Sequence, residues 1–279
     1  MKQVVNTTHG PIEYRLTGEG KSVILILNGG HCSNCSSSLP FEAFLLDLGF
    51  QLLIPSRPGY GNTPSSTGRT AEQFADLLIE VLDALHIPSV TILAISAGGR
   101  TALQLAGRHP DHVEKIVLQG ALTHDDWPDK KTKLLSYFLF NPIVEKGLWS
   151  FFRFLIQKYP LGTLKIMMKS FTTLPVEQVI KQMSGNQQIE AIKFLQHLQS
   201  GSGFLNDIRH RSGDLGRIQV PTLIIHSKYD RSNPVTHAEY AANHIPHAEL
   251  FLSEAESHLI WFHDHHEKIK EKVAFFLEK

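Results

Sequence analysis

Ser96 sits in Ala94-Ile95-Ser96-Ala97-Gly98, between the apolar run Val90 to Ile95 and a stretch of small residues that opens at Ala97. The pattern small-x-Ser-x-Gly at a strand-to-helix turn is that of a nucleophile elbow. Such a turn strains the serine backbone and pushes its hydroxyl out past the strand end. The positions two before and two after must be small, because neighbouring chain passes close by; Ala94 adds one methyl to the more usual Gly. The N–H of Ala97 then falls at a helix N-terminus, where developing negative charge is favoured. Taken alone, the motif also fits a buried serine on an ordinary βα turn.

A serine hydroxyl is a poor nucleophile at neutral pH. It needs a base, usually His, and the base needs a carboxylate to fix its tautomer and stabilise its cation. Sixteen histidines are available. His258 follows the apolar run Ala248 to Leu252 and the polar Ser253 to Ser257, which puts it on a loop at a strand end. His226 lies inside the run leading to Asp230 and reads as structural. His263, His265 and His266 read as solvated members of a last helix from about Ile260 to Leu277. Asp230 ends the loop after the apolar run Val220 to His226, so the chain order is Ser, Asp, His. For the oxyanion, Ala97 N–H would be joined by Gly30 N–H from Asn28-Gly29-Gly30-His31, which directly follows the apolar run Val23 to Leu27. His31 N–H is the alternative if the register moves by one, and a plain turn is the bland reading of the glycine pair.

These residues need a sheet whose strand ends converge. Val23–Leu27 is apolar on both faces, as in a buried parallel strand; the apolar runs Val90–Ile95 and Val220–His226 read as strands too, and Val113–Leu118 as the next strand. Phe50–Pro55 adds another strand, and Gln3–Thr7 with Ile12–Thr17 reads as a hairpin of edge strands. Helices fall between them: Leu39–Leu48; Thr70–Leu85, with Thr70 as N-cap, Gln73 completing a capping box and His86 capping the far dipole; and Ala97–His109, stopped by Pro110. From Leu122 to about Gly216 no buried strand is found. Helical patterns cover 131–140, 142–159, 161–171, 175–183 and 186–199, far more than an ordinary loop holds. The expected organisation is core 1–121, inserted helical cap 122–216 and core 217–279. Tyr137, Phe138, Phe140, Trp149, Phe151, Phe152 and Phe154 read as the cap's own small core, with some walling a pocket for an apolar substrate part. Peripheral membrane contact is the weaker reading, because Asn141, Pro142, Glu145, Lys146 and Arg153 interrupt the apolar surface.

Taken together, the chain resembles the α/β-hydrolases, in the branch with a lid between the sixth and seventh strands. The residues that carry this are Asn28-Gly29-Gly30, Arg57-Pro58-Gly59-Tyr60-Gly61, Ala94 to Gly99, Pro221 to Asp230 and Ser257-His258. The resemblance spans nearly everything outside the cap and implies an eight-stranded, mostly parallel sheet flanked by helices. It also implies a catalytic triad of Ser96, Asp230 and His258, an oxyanion hole of Gly30 and Ala97, and no cofactor or metal. Asn28 stands where His is usual before the oxyanion glycine. A serine rather than aspartate nucleophile argues against the epoxide hydrolases and haloalkane dehalogenases of this fold. Arg57 reads as a buried ion pair or backbone partner rather than a substrate contact.

The implied activity is carboxylesterase-like cleavage of an ester-type acyl bond in a small, partly apolar substrate. The same triad serves C–C bond hydrolysis beside a carbonyl and cofactor-free perhydrolysis, and some relatives are ligand sensors without turnover. Composition narrows partners. Lys plus Arg and Asp plus Glu are 27 each, so no basic stripe invites nucleic acid. Neither a secretory leader nor a membrane-spanning segment is expected, which makes the cytoplasm the expected location; a homodimer stays open. Two cysteines, Cys32 and Cys35, form a single C-x-x-C read as local packing near the pocket rather than as a redox or metal site.

Overall fold

Strands that are apolar on both faces are stable only inside a sheet covered on both sides, and that is where they lie. The computed structural model describes residues 3–33, 40–141, 143–263 and 265–279. Its strands are β1 (Gln3–Thr7), β2 (Gly10–Thr17), β3 (Val23–Leu27), β4 (Gln51–Pro55), β5 (Val90–Ile95), β6 (Val113–Gln119), β7 (Thr222–Ser227) and β8 (Ala248–Ser253). They form one eight-stranded sheet in the order β1-β2-β4-β3-β5-β6-β7-β8. The β1/β2 and β2/β4 pairs are antiparallel and all others parallel. Every residue of β3 and of β7 is buried. The expected hairpin is present, but only β1 is an edge; β2 lies between β1 and β4, because residues Tyr14 to Thr17 pair with Leu52 to Pro55.

The chain leaves β3 toward β4 on one side and returns past it to β5 on the other. The carboxyl ends of β3 and β5 therefore flank the point where the winding reverses, and a crevice opens there. Helices α1 (Pro40–Asp47), α2 (Ala71–Ala84) and α3 (Gly98–Arg108) make the first crossovers. α2 buries Phe74, Leu78, Val81 and Leu82 at helical spacing against the sheet, each side chain contributing about 1.5–3 kcal/mol. Thr70 caps it by accepting the Gln73 N–H, but the Gln73 side chain takes the Arg69 N–H, not that of Thr70. His86 lies just past the C-terminus at φ 56 and gives its N–H to Asp83. Its left-handed backbone ends the helix there.

Between β6 and β7 come α4 (Lys130–Leu139), α5 (Val144–Lys158), α6 (Pro160–Met168), α7 (Val176–Gln182), α8 (Gly185–Gln196) and α9 (Gly203–Asp207). The first five match the periodicity; α9 was hidden by its length and by Gly201 and Gly203 at its start. α4 packs on α5, α5 on α6 and α8, and α6 on α7 and α8. Trp149, Ile156, Leu164 and Met168 share one hydrophobic cluster with one face of the sheet. The aromatic set is not a private core, however: Phe138, Phe151 and Phe154 are more than half exposed.

After β7 come α10 (Thr236–His244), β8 and α11 (His266–Glu278). The last helix thus starts six residues later than the apolar run Ile260–Phe262 suggests. That run is a separate buried 3-10 turn, held by Trp261 Nε1–H donating to Gln119 Oε1 (2.8 Å) and by Phe262 against Phe194. His263 consequently lies before the helix and is buried, not solvated, between Ser257 and Glu256.

Candidate active site

Ser96 has φ 49 at the turn from β5 into α3. A non-glycine residue there is strained, and the strain persists because the surroundings fix it. Ser96 N–H bonds Gln119 O, while its carbonyl accepts from Gly99 and Leu122. A Cβ on Gly98 would stand 2.1 Å from the Leu27 carbonyl oxygen; only glycine allows α3 to start so close to β3. Ala94, fully buried, fits without displacement.

The acid and the imidazole meet. His258 Nδ1–H donates to Asp230 Oδ2 at 2.5 Å. Asp230 is buried and its other oxygen accepts the Asn233 backbone N–H (2.8 Å). His258 is seated by its backbone N–H on the Phe171 carbonyl (2.8 Å) and by the Phe171 ring, 6.0 Å away and nearly parallel. At Gly120 (φ 50) a Cβ would come 3.1 Å from the imidazole, so this position after β6 leaves room for the ring. His226 is buried beneath: its Nε2–H donates to the Asn233 carbonyl (2.8 Å), and burial lowers its pKa, leaving it neutral.

Asn233 is fully buried, and sequence reasoning missed it. Its side-chain nitrogen lies 2.6 Å from the Gly120 carbonyl. A carbonyl only accepts, so the amide orientation is fixed. The second N–H reaches Ser96 Oγ at 3.2 Å. Ser96 therefore accepts from Asn233 and keeps its own proton free. Among the described residues no hydrogen bond joins Ser96 to His258, although both line the same cavity; such contacts commonly tighten only around a bound substrate. The one signal in the chain was position: Asn233-Pro234 follows three residues after Asp230, just before the next helix.

Gly30 and Ala97 also line the cavity, and among the described residues neither N–H has an acceptor. His31 N–H points elsewhere, to Tyr60 Oη (3.3 Å), so it does not compete with Gly30. The loop is braced from below. Arg57, fully buried, donates to the Gly29 carbonyl (2.8 Å) and pairs with Asp207, which also accepts from Tyr60 Oη (2.6 Å). Burial alone would lower the Arg57 pKa, but Asp207 and Tyr60 outweigh it and the net shift is upward. The His31 ring, at φ 63, is stacked on Phe204 (4.2 Å) and near Phe140 and Trp149, with Nδ1 2.6 Å from Ser200 Oγ. Burial lowers its pKa to about 4. Cys32 is buried on the cavity wall; Cys35 lies outside the described residues, and with it the C-x-x-C reading.

The cavity measures ≈ 1130 Å³. Its walls are apolar and aromatic, from Phe41, Trp149, Phe152, Phe171, Phe194 and Phe204 among others. An attacking hydroxyl, a carboxylate-backed imidazole and two free N–H groups at one rim can carry out acyl transfer.

A family model described as alpha/beta hydrolase fold matches residues 23–264. The chain belongs to the alpha/beta hydrolase family. This alpha/beta hydrolase is 37% identical over 258 residues to the uncharacterized hydrolase YcgS of Bacillus subtilis, covering 90% of this chain and 89% of that one. It is 24% identical over 278 residues to a 2-hydroxy-6-oxononadienedioate/2-hydroxy-6-oxononatrienedioate hydrolase of Burkholderia vietnamiensis (96% and 91% covered). Among solved structures, an alpha/beta hydrolase fold protein from Nakamurella multipartita superposes with a TM-score of 0.82 at 24% identity, with 99% of each chain covered. The chain is accordingly a hydrolase of this family. No helix among the described residues is long and apolar enough to cross a membrane.

Proposed function

We propose that this hydrolase cleaves an ester-type acyl bond of a partly apolar substrate through a serine acyl-enzyme, with residues 122–216 as the cap over the site. The observation that carries the reading is the Asp230–His258 hydrogen bond of 2.5 Å at the rim of the cavity that also exposes the strained Ser96. In the first step Ser96 Oγ turns from Asn233 toward His258 Nε2, loses its proton to it and attacks the carbonyl. Asp230 stabilises the imidazolium. Gly30 and Ala97 N–H hold the oxyanion, each donor supplying about 10²–10³ in kcat. The leaving alcohol takes the proton from His258. Water then attacks the acyl-enzyme with His258 again as base, and Ser96 recovers its proton.

A second reading, hydrolysis of a C–C bond beside a carbonyl, is favoured by the similarity to the Burkholderia vietnamiensis hydrolase. That protein's name describes a dicarboxylate substrate. In this cavity Arg231 is the one permanent cation among the described lining residues, and Asp126 and Asp129 line it as well. A dianion would meet weak attraction and some repulsion, which ranks the ester above it. The test is a series of p-nitrophenyl esters of increasing chain length beside a vinylogous diketone. Turnover of medium-chain esters, abolished by Ser96→Ala with the unfolding temperature unchanged, is the expected result. Activity on the diketone alone would select the second reading, and full activity of the Ser96→Ala variant would remove the serine from the mechanism.

A further inference from the structure

The outer faces of α4 to α6 are apolar where a protein surface ordinarily is not. Among the described residues thirteen large hydrophobic side chains are exposed, and nine of them lie between Leu134 and Ile166, so the exposure is concentrated rather than scattered. On α4, Leu134, Leu135 and Phe138 occupy one arc, with the buried Ser136 opposite. On α5, Phe151 and Phe154 form one stripe with Ile143 just before the helix, the last 89% exposed, while Trp149 and Ile156 face inward. On α6, Leu161 and Ile166 are exposed and Leu164 and Met168 buried. Phe140, Trp149, Phe152 and Met167 at or beside these helices wall the cavity. The inner side chains of these helices thus share one target, and each of the three carries exposed apolar side chains as well.

The charges of the same segment are one-sided. Residues 130–169 hold eight lysines and arginines and a single acid, Glu145, in a chain whose totals balance. Glu145 is not on the surface. It is buried, and its carboxylate accepts the Ser200 and Gly201 N–H groups. Among the described residues none of the eight cations is in an ion pair. Lys131 shares the arc of Leu134 and Phe138, and Lys158 extends the stripe of Phe151 and Phe154, by helical spacing. Two copies of such a face would bring like charges together. An apolar stripe edged by long cationic side chains instead suits a surface with an oily interior and anionic headgroups, where the side chains reach out to the phosphates while their stems stay in the apolar layer.

We infer that the α4–α6 face is a docking surface for an anionic lipid bilayer, on which the protein lies peripherally. The binding is independent of the serine chemistry proposed above, and its test does not rely on turnover. The protein is floated with vesicles of phosphatidylcholine and phosphatidylglycerol in equal parts, and with vesicles of phosphatidylcholine alone. Wild type is expected to float with the first, weakly with the second, and less in high salt. Each cation near such a surface contributes about fivefold in affinity, so Lys131→Gln, Lys158→Gln and Lys165→Gln together lower it roughly a hundredfold. Phe151→Ser with Phe154→Ser lowers it on both vesicles. All are exposed positions, and unfolding temperatures within about 2 °C of wild type verify the fold. No flotation, equal flotation on both vesicles, or variants that float like wild type would overturn the inference. So would a wild-type dimer that the two Phe substitutions dissociate, which would make a second copy the occupant.

Discussion

Asp207 offers the most direct test of how the oxyanion loop is held. It is 2% exposed and its carboxylate accepts from both terminal nitrogens of Arg57 and from Tyr60 Oη. From these, two arms rise to either side of Gly30: Arg57 to the Gly29 carbonyl, and Tyr60 Oη from the His31 N–H. Asp207→Asn keeps the shape but removes the charge. Arg57, 1% exposed, is left with a buried and uncompensated cation, and the new amide turns an N–H toward a donor. Breaking one side of a buried pair costs about 3–5 kcal/mol. For a chain of this size each kcal/mol lowers Tm by about 2–4 °C, so a loss of roughly 10 °C is expected. At a temperature where the variant is fully folded, kcat on an activated ester should fall at least about tenfold, up to the 10²–10³ that one oxyanion donor supplies. Thermal unfolding followed by circular dichroism gives the first number and steady-state kinetics the second. Replacing both partners, Arg57→Leu with Asp207→Leu, should recover part of the stability but none of the kcat. An Asp207→Asn variant that melts within about 2 °C of wild type and turns over normally would refute the reasoning.

Asn233→Val removes the donor shared by Gly120 and Ser96 while leaving the backbone N–H that serves Asp230. Leaving the Gly120 carbonyl unpaired costs about 1–3 kcal/mol, and kcat should drop about tenfold as the hydroxyl loses its fixed direction; unchanged kcat in the folded variant would show that the Ser96 contact is incidental. Stability should also fall in mild acid. Burial holds His31 and His210 at about 4 and His237 at about 3, below the ordinary 6.5. The unfolded chain therefore binds these protons first, and the stability they lend is complete above 6.5 and is lost as pH falls toward 4. Between about pH 7.5 and about pH 5 each contributes a loss of ~2 kcal/mol, ~6 kcal/mol for the three at most. Urea midpoints across that range check it, and a flat profile would contradict the buried, neutral state of these rings.

The sheet was legible because β3, β5 and β7 are short, largely apolar runs buried on both faces, and such runs have few alternatives in a chain with helices between them. Ser96, Asp230 and His258 were legible because each sits just after such a run, and strand ends are where a parallel sheet collects its loops. The partners that brace them were not. Asp207 meets Arg57 across 150 positions of sequence, and nothing local marks either as half of a pair. Ile260-Trp261-Phe262 read as the start of a helix because apolar residues beside a helix look like part of it; Gln119, far away in sequence, claims Trp261 instead. The outward Phe138, Phe151 and Phe154 read as core for the same reason. Periodicity reports that a face is apolar and leaves open what it touches.

The long-range bonds also bear on how substrate enters. The segment between β6 and β7 grips the site at three points: Phe171 carbonyl on the His258 N–H, Ser200 Oγ on the His31 ring, and Asp207 on Arg57. Glu145 and Trp149 of α5 are tied to the second of these through the Ser200 N–H and Oγ. A rigid swing of the whole segment would break all three grips and uncover a buried carboxylate and a buried guanidinium at once, a cost no apolar substrate could offset by binding. Among the described residues α4 has no such tie; its side-chain hydrogen bonds, Thr132 to Asp129 and Ser136 to the Thr132 carbonyl, are local. A displacement of α4 alone would break none of these three grips.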